Sequence, residues 1–460
     1  VPVDVVSPHG SDVGESARWD HTALRRRLLD GTWDADAKGW LRKLMGSVRS
    51  DAYGDPDLSA NPFSTLTSQL ACLYDQAPEV SHGSDADNAE RMGLLLDSAG
   101  LWPRMQTIQR YTLGLREMLV RPDFTVDDGL TLRPVWPDKV TAEAAENRPD
   151  VPVEITEYRK YLVDGKWTWV RDTWSVRDPL QPYRRMVDHT TDKVVLSYDA
   201  SEYPYWNDGR AVLPYVLYHA RVGDRLWSPF HGRELVEGTL RSAVHWTFFG
   251  HGLRNASWPQ RYVAGFTVPS NDTGTRDAVV ADPSTILMLE PLEELQGGGQ
   301  VGSFDVPFDP TVLIEATEQY ERNLAKYAGV SASDFQRMSG DPRSGYALSI
   351  SAEGRRKASQ AYEPAARDGD LALLSLIAVM HNRVRPSSKL PTDGWGLRYR
   401  ALPPTATELQ SRRQHVLELL REGLMSRVEA YAEIHDVDES TARTKLAAID
   451  QARAAAANAF

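Results

Sequence analysis

The sequence predicts an α+β fold, on three observations. Amphipathic helical stretches open and close the chain. A block from about 115 to 220 alternates like strands, and a helical period returns near 233 in long, well-capped segments. A chain of 460 residues exceeds what one core organises, so two to four domains are expected.

Hydrophobic residues at 41% and charged residues at 25% fit a core-forming protein rather than a disordered one. The apolar run "LALLSLIAVM" (371–380) is too short for a membrane span, and no membrane association is expected. "VPVDVVSPHGSDVGESARWD" has neither a basic start nor an apolar stretch, so no secretory leader is expected. The single Cys72 rules out an internal disulfide framework and points to a reducing compartment. A net charge of −12 argues against a protein that coats nucleic acid through counterion release, though not against one that encloses DNA without gripping it.

Each element has a local reason. "ESARWDHTALRRRLLDG" begins a helix, and "NPFSTLTSQLACLY" (61–74) starts another with Asn61 as cap and Pro62 in the first turn. "EITEYRKYLVDGKWTWVRDTWSV" (154–176) alternates around Asp164-Gly165, the dipeptide a tight hairpin prefers. "VLPYVLYHARV" (212–222) closes the β-rich block, and a helix follows from Gly232 to about Ser257.

Residues 266–308 lack a helical period. They carry seven acids (Asp272, Asp277, Asp282, Glu290, Glu293, Glu294 and Asp305) against one base, Arg276, and form an acidic, irregular insert between two helices. The second of these helices has Asp309 as N-cap and Pro310 in its first turn. Leu313, Ala316, Tyr320, Leu324 and Tyr327 place one narrow apolar face on it. "MSGDPRSGYALSI" (338–350) then breaks the pattern, and Ser344 can cap a third helix running towards Arg385. After a strand-like "WGLRYRALP" the chain is helical, with capping boxes at Thr405–Glu408 and Ser426–Glu429.

No catalytic constellation is found. A phosphate loop needs lysine and a hydroxyl after its last glycine, but Tyr346 and Ala347 follow Gly345. His231, Glu234 and His245 lack metal-ligand spacing, and His245 and His251 face different sides of a helix, so no metal site or cofactor is expected. "DVDES" (436–440) lacks a calcium-loop glycine, and Asp438 or Ser440 as an N-cap explains it. Cys72 has no neighbouring histidine and suits a core position. Trp167, Trp169 and Trp174 fit a sheet face better than a stacking platform. "GRRKASQ" (354–360) puts Arg355, Arg356 and Lys357 on one helix, usually a solvated face, with phosphate contact as the functional alternative.

The order of these pieces resembles the portal protein family of tailed double-stranded DNA bacteriophages. "PRSGYAL" (342–348) is similar to the family's P-S-G-x-A-L element, with Arg343 where proline often precedes serine. "LPPTATELQSRRQHVLELLREGLMSRVEAYAEIHDVDESTARTKL" (402–446) is similar to the family's helical ending, and "NPFSTLTSQLACLY" and "LPYVLYHARV" sit where the family has similar segments. The resemblance implies a wing over 1–232, stem helices over 233–265 and 309–338, and a clip over 266–308. It further implies a tunnel loop over 339–345, a long helix and returning wing strand over 346–404, and a crown over 405–460.

The implied function is non-enzymatic: a ring of about twelve copies at one capsid vertex, through which double-stranded DNA is packaged and later ejected. Ser339, Gly340, Asp341, Pro342, Arg343, Ser344 and Gly345 would project into the channel, with Arg355, Arg356 and Lys357 as candidates for DNA-backbone contacts. The clip acids would repel phosphate at the channel mouth and so suit sliding. Implied partners are the terminase large subunit, a head–tail adaptor, the major capsid protein and scaffold. The implied location is the virion, after assembly in the host bacterial cytoplasm. The alternatives are another head–tail connector or minor capsid protein, and a soluble hydrolase with a Trp-rich β domain.

Overall fold

The computed structural model describes residues 13–47, 50, 53–83, 85–127, 129–228, 233–257, 260–264, 266–267, 290–291, 300–304, 309–328, 345–400, 406–435 and 437–457. In chain order its elements are α1 (Val13–Asp30), α2 (Asp34–Met45), α3 (Pro62–Leu70), β1 (Glu79–His82), α4 (Ala86–Ser98), α5 (Leu101–Leu115), β2 (Glu117–Thr125), β3 (Gly129–Val135), β4 (Val140–Ala145), β5 (Arg148–Val163), β6 (Lys166–Ser175), β7 (Tyr183–Asp188), β8 (Val194–Tyr198), β9 (Trp206–Asn207), β10 (Arg210–Ala211) and β11 (Val216–His219). The second half continues with α6 (Arg233–Ser257), β12 (Gln260–Ala264), β13 (Phe266–Thr267), β14 (Glu290–Pro291), β15 (Gln300–Phe304), α7 (Pro310–Tyr327), α8 (Gly345–Val384), β16 (Trp395–Arg398), α9 (Ala406–Arg421), α10 (Arg427–His435) and α11 (Glu439–Ala457). The protein is therefore α+β, with two compact units: residues 1–66 with 229–328, and residues 67–228 with 329–460. The N-terminal helices group with α6 and α7 rather than with the β-rich region.

In the first unit, Asn61 caps α3 as expected, its Oδ1 accepting from the Ser64 N–H at 3.0 Å while its Nδ2 donates to the Leu28 carbonyl at 2.8 Å. Asp309 caps α7 by accepting from the Thr311 N–H at 2.9 Å. The segment between α6 and α7 is closed by nested antiparallel pairs, β12 with β15 and β13 with β14.

The packed face of α7 differs from the one its apolar spacing predicts. Thr317, Glu321, Leu324 and Ala325 are buried, whereas Leu313 and Tyr327 are exposed. The reason is chemical. Alpha-6 presents donors at this seam, so the carboxylate of Glu321 is buried there: Ser242 Oγ donates to it at 2.6 Å and Trp246 Nε1 at 2.9 Å. At the same seam Gly238 lets the helices approach, since a Cβ there would meet Leu324 Cδ2 at 2.3 Å.

In the second unit, β4 to β8 form a five-stranded antiparallel sheet in sequence order, β11-β2-β3 form a second sheet, and β1 pairs with β16. The β5–β6 hairpin turns at Asp164 (φ 49°) and Gly165 (φ 78°), the double positive-φ turn that an Asp-Gly pair supplies. Alternation then decides which residues face inward. Ile155, Val170 and Trp174 are at most 1% exposed, and Ile155 and Trp174 join Leu119, Val135, Val140, Tyr203 and Tyr215 in one core. The forty-residue α8, with Pro364 inside it, packs on β2 and β11.

Helix α3 ends at Leu70, earlier than the sequence pattern implies, and Cys72 lies buried in the turn that follows. The C-terminal capping box is present in both directions. The Glu429 N–H donates to Ser426 Oγ at 3.2 Å, and the Ser426 N–H donates to Glu429 Oε2 at 2.7 Å. Asp438, not Ser440, caps α11, accepting from the Thr441 N–H at 3.1 Å.

Candidate functional site

The expected tunnel loop falls almost wholly outside the described residues: Ser339, Gly340, Asp341, Pro342, Arg343 and Ser344 lie there, and Gly345 is the first residue of α8. Of the expected clip acids, Asp272, Asp277, Asp282, Glu293, Glu294 and Asp305 also lie outside them. Glu290 is described through its backbone in β14, where it pairs with Thr267. The side chain of Arg355 is outside the described residues; Arg356 is half-buried and Lys357 exposed on α8.

The three tryptophans separate by strand parity. Trp174 is buried in the core, with the Arg184 guanidinium 4.5 Å and that of Arg121 5.2 Å from its ring centre. Trp167 and Trp169 occupy the other face of β6. Trp169 lies beneath Lys139 at 4.8 Å and Lys160 at 5.5 Å, and Trp167 is 72% exposed. His245 packs edge-on against Tyr320, and His251 Nε2 lies 2.7 Å from the Tyr53 carbonyl oxygen, so the two histidines serve different contacts. Among the described residues no group of three His, Cys, Asp or Glu is arranged to hold a metal ion, and no helix is long and apolar enough to cross a membrane.

Two buried carboxylates stand out in the second unit. Asp172 projects from the core face of β6 between Val170 and Trp174. Arg184 reaches it from β7 through Nε at 2.9 Å and Nη2 at 3.0 Å, Arg159 from β5 at 2.9 Å, and Arg121 from β2 at 3.7 Å. Beside it Arg133 forms a double contact with Glu157, which also accepts from Tyr215 at 3.1 Å. Burial alone would raise the Asp172 carboxyl. The Arg184 hydrogen bonds and the charges of Arg184, Arg121 and Arg159 outweigh that and hold it below the usual aspartate range.

Asp370 has a neutral surround instead. Tyr399 donates to it at 2.6 Å, Tyr218 at 2.8 Å and Tyr74 at 2.9 Å, so α8, β11 and the segments after α3 and β16 converge on one carboxylate. Burial pushes its carboxyl up to about 6, although the three phenols each favour the ionised form. A carboxyl poised there has the proton affinity of a general base, yet the void beside Tyr74 and Tyr218 measures only about 20 Å³. That space admits about one water, and the three phenols tie their elements together through the carboxylate.

Sequence reading did not single out either carboxylate, although a signal was present. Asp172 shares strand parity with Val170 and Trp174, and Asp370 sits four residues beyond Ala366 in an apolar stripe. A charged residue in a buried phase calls for partners. Their identity was invisible because they come from β2, β5, β7, β11 and the segments after α3 and β16.

No protein-family model matches this chain, and a search of the curated proteins finds no match to it.

Proposed function

We propose that this chain is the subunit of a portal-type ring, a structural channel for double-stranded DNA at one capsid vertex. In this reading a separate terminase drives DNA through the ring, and the chain itself does not hydrolyse ATP. Twelve copies surround the channel, and the head–tail adaptor and major capsid protein bind its outside.

The observation that carries the reading is the order of elements. A twenty-five-residue helix, α6, leads into nested antiparallel pairs, which return to α7. The forty-residue α8 follows, then the single strand β16 and three closing helices. This order supports the stem, clip, stem, long helix, wing strand and crown that the family resemblance implies, although 260–264, expected in the first stem helix, is strand β12. The acids of 266–308 suit a channel mouth, because repulsion of phosphate lets DNA slide where attraction would brake it.

Native mass and face-on electron microscopy test the reading. Twelve copies of 51.4 kDa weigh about 617 kDa and form a ring with a central hole. A second test removes Gly340 to Ser344. The deletion is expected to leave ring assembly intact and to impair DNA packaging; packaging at the wild-type level would remove the loop from the mechanism.

A further inference from the structure

Strand β5 carries an exposed apolar tip at one end and an open apolar groove at the other. At the tip, Leu162 and Trp167 are direct cross-strand partners, 51% and 72% exposed. Exposed lysines flank them: Lys160 two residues before Leu162, and Lys166 next to Trp167. At the other end, Val151 and Pro152 line a groove of about 580 Å³ together with Leu213, Val222 and, from α8, Ala372 and Leu376. This volume lies within the roughly 300–1,000 Å³ of sites that enclose ligand-sized groups. The charged residues lining it are Asp150 and Asp368, with no lysine or arginine among its described lining residues; Arg148 reaches Asp150 at 3.4 Å.

We propose that the β5–β6 tip of one copy seats in this groove of a second copy, with Trp167 and Leu162 as the apolar plug. Two observations select that occupant. The net charges are complementary: Lys160 and Lys166 outnumber the exposed Asp164 at the plug, and Asp150 and Asp368 outnumber Arg148 at the socket. The geometry also excludes self-docking, because β5 climbs about 40 Å from Pro152 to Asp164, which holds a copy's own tip far from its own groove. A plug and a socket at opposite ends of one strand make a head-to-tail contact, the type that closes into a ring or propagates as a filament. An aromatic anchor in an apolar pocket supplies the binding energy such contacts concentrate at few residues. The inference deepens the ring reading and rests on it for closure and copy number, not for the contact itself.

The test uses the full chain with two surface substitutions, Trp167→Asp in the plug and Ala372→Trp in the socket, followed by native mass spectrometry across a concentration series. Each variant alone is expected to need at least about tenfold more protein to assemble than the wild type. Mixed in equal amounts, they are expected to give a heterodimer that grows no further, because the first keeps an intact socket and the second an intact plug. A misfolded variant does not complement, so the heterodimer also controls for folding. Assembly of Trp167→Asp at wild-type concentrations, or a mixture without heterodimer, overturns the contact. Wild-type filaments together with the heterodimer would sustain the contact and sink the portal ring. Wild-type rings that Trp167→Asp leaves untouched would do the reverse.

Discussion

Asp370 and Asp172 are both sealed from solvent, yet their surroundings give them opposite pH dependence. Asp370 is raised to about 6 against an ordinary 3.8, so the folded state holds a proton that the unfolded chain releases between those values. Its contribution to stability is fully present below pH 3.8 and is lost as pH rises through about 6. Asp370→Asn removes the titration and replaces one accepting oxygen with an amide NH2, so the one or two phenols that donate to that oxygen lose their acceptor, at a cost of about 1–3 kcal/mol for each orphan. The stability advantage of wild type over this variant is expected to narrow between pH 5 and pH 7 in urea titrations. An advantage that stayed constant would mean Asp370 does not titrate there.

Asp172 behaves in the reverse sense. Its depressed carboxyl contributes stability above the ordinary aspartate pKa, and that stability is lost as pH falls through its lower folded value. Asp172→Asn takes the counter-charge from the largely buried Arg184 and leaves Arg121 with Asp123 alone, at a cost of about 3–5 kcal/mol. Chemical denaturation at pH 7 is expected to show that loss, with the difference from wild type shrinking in acid.

Among elements, the contact of α8 with β11 depends on Gly369. A Cβ there would stand 2.5 Å from the Tyr218 ring, and Tyr218 donates to the neighbouring Asp370. Gly369→Ala adds helix propensity worth about 1 kcal/mol but drives the ring off its acceptor. Overpacking of this kind costs about 1–3 kcal/mol, and the orphaned hydroxyl adds to it, so a net loss is expected in thermal melting. In the other unit Gly238 has the same role against Leu324, but the obstacle there is the end of a flexible side chain. Gly238→Ala is therefore expected to cost less than Gly369→Ala, and equal costs would contradict the packing argument.

At the scale of the whole molecule, two compact units imply unfolding that departs from a single two-state transition. Calorimetry is expected to resolve two transitions. Asp172→Asn, Asp370→Asn and Gly369→Ala should shift one of them, and Gly238→Ala the other. A single transition moved equally by all four would show that the units melt together.

By itself the sequence determined the local structure of this protein. The Asp164-Gly165 hairpin, the Asn61 and Asp309 caps, the Ser426–Glu429 capping box and the α+β character were legible, and the cap of α11 was narrowed to Asp438 or Ser440. Each rests on groups a few residues apart, whose backbone preferences and hydrogen bonds form without the rest of the chain. The tertiary structure alone decided which charges are buried and what meets them. Glu321 turned the packed face of α7 away from the expected one because Ser242 and Trp246, which meet it, lie nearly eighty positions earlier in the chain. Asp370 finds one of its phenols 296 positions away. Such pairings follow from how sheets and helices stack, and a buried charge is stable only where that stacking supplies its partner.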